Sequence, residues 1–159
     1  MGGIDAALAK GTIDDADGDS DEDRGPRALA LFEPCDSGRA AMREAAELAN
    51  AGIRLTVVTL APQARPMPWG RGGGEGPYNI AVREEAEREL AQARELLGSV
   101  APKATFTVLV GCPEPPLVTW AAERGFNVVL LPYHRMTLGG NRFARRLRRS
   151  STADVRLVS

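Results

Sequence analysis

Histidine and cysteine are scarce in this chain, with one His and two Cys among 159 residues. A zinc centre takes three or four ligands. His134 has no second histidine and no clustered acid beside it, so no metal site is expected. Two cysteines, Cys35 and Cys112, do not make a disulfide framework and are read as free thiols. Aromatic residues amount to only 5%, which leaves Ala, Val and Leu to fill the core. Long apolar runs are missing as well. All fall short of the roughly 18 residues that mark a membrane helix, so direct membrane insertion is not expected. The opening Met1-Gly2-Gly3-Ile4-Asp5 does not lead from a basic segment into an apolar one. A secretory leader is therefore not expected, and the cytoplasm is the expected location. Paired carboxylates, a nucleophile–base set and a metal cluster are all lacking, so no catalytic residue is assigned and an enzyme is not expected.

A net charge of −1 conceals a strong asymmetry. Residues 1–23 hold eight acids against Lys10, a net −7, so the rest of the chain carries +6. Residues 1–25 are also poor in large apolar groups and read as a disordered acidic tail. The run Asp15-Ala16-Asp17-Gly18-Asp19 resembles the start of a calcium loop, but the sixth position is Ser20 and the twelfth Pro26, where such a loop needs Gly and Glu.

Residues 26–159 read as one domain, within the size range of a single core. Ala28-Leu29-Ala30-Leu31-Phe32 is a short continuous apolar run, as in a strand buried on both faces. Arg39–Ala51 has Ala41, Ala45, Leu48 and Ala49 at helical spacing, with Gly52 as the stop. Ile53–Leu60 is rich in β-branched residues and predicts a second strand. Prolines and glycines then alternate over 61–80, which predicts a long irregular loop containing Trp69. Helix follows over Ala81–Leu97, with Val82, Ala86, Leu90, Ala93 and Leu97 on one face. Ala104–Val110 alternates apolar and polar residues, as an edge strand does. A helix over Pro115–Arg124, a buried strand over Asn127–Leu131, a basic helix over Gly139–Arg149 and a last strand over Val155–Val158 complete the series. Strictly alternating strands and helices imply an α/β fold, a five-stranded parallel doubly wound sheet with helices on both faces. The alternating third strand favours the order 3-2-1-4-5. Ligands of such sheets sit where the chain switches direction, beyond the carboxyl ends of strands one and four. That crevice would be lined by Glu33, Pro34 and Cys35 on one side and by Pro132, Tyr133, His134 and Arg135 on the other.

The ordered pattern resembles the universal stress protein family over roughly residues 27–158. The resemblance is carried by Ala28-Leu29-Ala30-Leu31-Phe32-Glu33 with the Ala-rich helix behind it, and by Ile53-Arg54-Leu55-Thr56-Val57-Val58. Gly111-Cys112-Pro113, Phe126-Asn127-Val128-Val129-Leu130-Leu131 and Phe143-Ala144-Arg145-Arg146-Leu147 before Val155-Arg156-Leu157-Val158 extend it. The resemblance implies the adenine nucleotide alpha hydrolase-like fold. It also implies a homodimer paired through the last strand, with Val155, Leu157 and Val158 as contacts. ATP-binding members place an acid after strand one and a glycine-rich phosphate motif after strand four. Here Glu33 stands for the acid, Pro132 and Arg135 occupy the two early glycine positions, and Asn141 and Arg142 fall near the later Gly-Ser. Proline has no amide hydrogen to offer a phosphate. The usual grip on ATP is lost, and no cofactor is expected. The alternative is an adenine nucleotide held by arginines, with Gly139-Gly140-Asn141 as a turn ahead of the last helix.

Arg135, Arg142, Arg145, Arg146, Arg148 and Arg149 stand together with no acid from His134 to Ala153. Two readings stay open: a solvated face neutralised by the acidic tail, or a site for a phosphate or an acidic partner. Interleaved aromatics and a reader motif are absent, so nucleic acid is not expected. Cys35 reads as a passive small residue near a helix start, and Trp120 as core. Trp69 is a candidate partner anchor. With the resemblance, these features imply a non-catalytic regulatory or adaptor protein of the universal stress type that dimerises and binds a protein partner, a membrane protein included; the alternatives are the nucleotide sensor and, least favoured, an ATP-hydrolysing enzyme.

Overall fold

The computed structural model describes residues 25–65, 75–112, 115–133 and 138–159, without the side chains of 138–141. The acidic segment before Gly25, Trp69, His134 and Arg135 lie outside the described residues.

Five strands alternate with four helices: β1 (Arg27–Leu31), α1 (Asp36–Asn50), β2 (Arg54–Pro62), α2 (Glu75–Leu97), β3 (Thr105–Gly111), α3 (Leu117–Arg124), β4 (Val128–Pro132), α4 (Leu138–Ser150) and β5 (Asp154–Val158). A 3-10 turn at Gly98–Lys103, not foreseen in the sequence, joins α2 to β3. All strands are parallel, in the expected order β3-β2-β1-β4-β5. The central β1 has Ala28, Leu29 and Ala30 fully buried, as its unbroken apolar sequence demands.

The apolar stripes of the helices decide the layers. Met42 and Ala45 of α1, with Leu90, Ala93 and Leu97 of α2, pack on Ala28, Ala30, Val57 and Leu130. Leu117 and Ala121 of α3, with Ala144 and Leu147 of α4, pack on the opposite side against Leu29, Leu31, Val58 and Val129. Each buried Leu contributes about 1.5–3 kcal/mol. The first two crossovers therefore run on one face and the last two on the other, and the switch falls between β1 and β4.

Several boundaries differ from the sequence reading. The irregular loop is shorter than 61–80, because β2 continues through Pro62 and α2 begins at Glu75. Gln63 N–H donates to Gly111 O at 2.7 Å, so the nitrogen of Pro62 faces the other way, toward where β1 has already ended. Its missing hydrogen costs the ladder nothing. Pro77 falls in the first turn of α2, where N–H groups have no intrahelical partner in any case. Asn79 holds the segment after β2 against this turn, accepting from Ala64 N–H at 2.9 Å. The Gly139-Gly140-Asn141 turn is likewise absent: these residues belong to the first turns of α4, which begins at Leu138.

Candidate functional site

The crevice is built from the chain just beyond β1 and β4. After β1, Phe32 N–H still donates to Val58 O at 2.9 Å, and the chain then turns, with Cys35 N–H donating to Glu33 O at 2.8 Å. Cys35 caps α1: its sulfur accepts from Gly38 N–H at 3.4 Å and lies 3.6 Å from Ser37 Oγ. That contact explains Cys35 as a capping residue. Gly38 is where the turn and the helix meet most closely. A Cβ built there would stand 1.8 Å from the Glu33 carbonyl oxygen, so only glycine fits.

Across the crevice, Tyr133 N–H donates to Val158 O at 2.7 Å. Backbone groups alternate sides along a strand, so the nitrogen of Pro132 faces β1. The residue nearest the switch point on β4 thus offers the crevice no amide hydrogen. Ser37 Oγ donates to Tyr133 O at 2.9 Å and ties the two sides together. Glu33, Pro34 and Cys35 thus follow β1 and Pro132 ends the neighbouring β4, and Ser37 and Gly38 belong to the same turn. Sequence reasoning passed over both of these. The only signal was a Ser-Gly pair at the head of an Ala-rich helix.

The β1 side of this region is acidic. Burial, and then the Glu85 and Glu33 carboxylates, hold Glu89 of α2 above the usual glutamate range. No group of His, Cys, Asp and Glu that could hold a metal ion occurs among the described residues. Cys35 and Cys112 are free, and β2 separates the strands they follow.

The β4 side leads into α4, whose charge is of the opposite sign. Arg142, Arg145, Arg146 and Arg149 are all exposed, at spacings of three and four that place them on one helical stripe. Among the described residues, none of the four has a carboxylate partner. Like charges so spaced cost about 0.2–0.5 kcal/mol per pair. Arg148 points elsewhere and donates to Val155 O at 2.9 Å.

That bond also bears on the outer edge of the sheet. Asp154 N–H donates to Asn127 O, so Val155 and Leu157 turn their backbone groups outward. The Val155 side chain, however, is buried in the α3/α4 core, and Leu157 and Val158 are half-buried. The edge therefore presents backbone, with one carbonyl already taken by Arg148, and of the three residues expected as dimer contacts Val155 turns its side chain into the core. Trp120 packs as expected against Phe126, with ring centroids 5.7 Å apart.

A family model described as "Universal stress protein family" matches residues 27–158. No curated protein matches the chain. Among solved structures, a universal stress protein from Archaeoglobus fulgidus in complex with dAMP is 22% identical, with a TM-score of 0.57 over 85% of this chain and 98% of that one. A universal stress protein in complex with cAMP is 19% identical, with a TM-score of 0.57 over 84% and 97%. The protein UspA from Lactobacillus plantarum is 13% identical, with a TM-score of 0.67 over 86% and 99%.

Proposed function

The chain belongs to the universal stress protein family, and on that premise we propose that it is a non-catalytic regulatory or adaptor protein acting through its charged surface. The observation that carries this reading is the arginine stripe of α4, which has no carboxylate partner among the described residues. Exposed guanidiniums on one face suit bidentate capture of carboxylates on a protein partner. The backbone of Pro132 supports the non-nucleotide side of the reading, since it brings no N–H to the switch point. Pairing of two copies along β5 fits the outward backbone groups of Leu157. Native mass spectrometry of the protein from its own host tests this directly. A dimer carrying a protein partner and no nucleotide is expected, and a monomer with bound nucleotide overturns it.

A second reading, a sensor of adenine nucleotides, is favoured by the two relatives found with dAMP and cAMP. In it Arg142, with Arg135, replaces the glycine amides as phosphate ligand. Thermal unfolding with ATP, AMP, cAMP and dAMP separates the two. A binder gains about 2.7 kcal/mol at a hundredfold excess over its dissociation constant. The adaptor reading expects no gain, whereas a gain abolished by Arg142→Gln establishes the sensor.

A further inference from the structure

The described chain begins against the turn between α3 and β4. Arg27 N–H donates to Asn127 Oδ1 at 2.8 Å, Arg27 Nη1 donates to Arg124 O at 3.1 Å, and Asn127 N–H donates to Arg27 O at 2.8 Å. These bonds pin the start of β1 to the turn between α3 and β4. The same turn forms one wall of a surface groove of about 480 Å³, lined by Gly125, Asn127, Ser151, Thr152 and Arg149, the last arginine of the stripe. Ser151 Oγ is already committed to Leu147 O at 2.9 Å, which leaves Arg149 as the charged group of the groove. Gly25, where the described residues begin, stands two residues ahead of Arg27, whose partner Asn127 shares this groove with Arg149.

The residues ahead of Gly25 carry the opposite charge. Between Asp14 and Asp23 lie seven acids and no base. Ten residues reach about 33 Å when extended, and a 13-residue helix is about 20 Å long. The acidic run is thus long enough to follow the stripe from Arg149 back to Arg142.

We infer that the segment Asp14–Asp23 docks on the Arg142/Arg145/Arg146/Arg149 stripe of α4 in its own chain, entering along the groove beside Arg149. The attachment is electrostatic and local in sequence, so it holds at low salt and is displaced by a more acidic partner. Only that displacement rests on the adaptor reading; the docking stands without it, and native mass spectrometry can find no partner while the segment still sits on α4.

A nitroxide attached to Ser20→Cys, in the full chain with Cys35→Ser and Cys112→Ser, tests it by NMR. Serine keeps the cap at position 35. At 0.1 M salt, where the screening length is about 10 Å, the amides of 142–150 and 125–127 broaden more than those of α1 and α2. At 1 M salt, where it is about 3 Å, the selective broadening disappears. It also disappears when the four stripe arginines are changed to glutamine. Even or absent broadening at low salt overturns the inference, as does broadening that survives the glutamine variant. Broadening of a label-free ¹⁵N chain mixed with unlabelled spin-bearing chains assigns the segment to a second copy and overturns docking in cis.

Discussion

The two helical layers treat charge in opposite ways. On α2 the acids and bases alternate, and Arg83 pairs with Glu87 at 3.4 Å while Arg88 pairs with Glu85. That surface neutralises itself along the helix, as solvated helices do. On α4 the exposed charged residues among those described are all arginines, and the helix sequence holds no acid to balance them. The buried faces are alike: each layer seals one side of the sheet with Leu and Ala, with Met42 added in the α1/α2 layer. Apolar packing thus makes the two layers equivalent as scaffold, and only the outer charges make them different as surfaces.

The close backbone contact of α1 gives the sharpest break in that equivalence. Gly38→Ala, with its Cβ 1.8 Å from the Glu33 carbonyl oxygen, costs about 4 kcal/mol. Gly125→Ala in the other layer has φ of 62° and open space around it, and costs only about 1 kcal/mol. Urea midpoints of the two variants measure the difference, and equal losses would show that α1 does not press on the crevice turn. Next in size are core truncations. Leu147→Ala in one layer and Met42→Ala in the other, both fully buried side chains, each cost about 3 kcal/mol. A loss confined to one of them breaks the claim that the layers are equal in packing.

Charge reversal has a smaller effect, with opposite signs on the two helices. In a chain whose acids between Asp14 and Asp23 are neutralised, Arg145→Glu places an acid between Arg142 and Arg149 and stabilises by about 0.5 kcal/mol. Arg83→Glu removes the pairing with Glu87 and destabilises by about 0.5 kcal/mol. Denaturant midpoints at low salt read both, and the same sign for the two would erase the contrast. The finest test is pH. Glu89 is held above its ordinary value of 4.5, so the fold favours its protonated form. The stability this gives is complete below 4.5 and is lost as pH rises through the raised value. Glu89→Gln is therefore expected to stabilise at neutral pH, with the gain fading as pH falls toward 4.5. A gain independent of pH would show that the carboxylate is not the cause.

Much of the fold was legible along the chain. The unbroken apolar run of β1 marked a central strand, and the alternation in β3 marked an edge, because burial on two faces or one dictates which side chains a strand can carry. Prolines misled the reading of 61–80. A proline is excluded only where its nitrogen owes a hydrogen bond, and neither Pro62 nor Pro77 stands at such a place. The resemblance makes Val155 a dimer contact on the outer edge, and only the fold shows that its side chain also packs under α4. The site was legible as a neighbourhood. The strand order places Glu33, Cys35 and Pro132 at the switch point, but Ser37 and Gly38 carry no pattern that separates them from ordinary helix-start residues.

The linear order of apolar and polar groups was sufficient for the strand–helix alternation, the parallel sheet and the opposed charges of the first segment and the last helix. Propensity, periodicity and net charge are local properties, summed over neighbouring residues. The direction of the Pro132 nitrogen, the bond from Ser37 to the Tyr133 carbonyl 96 residues away, and the groove that Asn127, the partner of Arg27, shares with Arg149 came only from the folded chain. Each depends on register or packing between distant segments, and no local average contains that information.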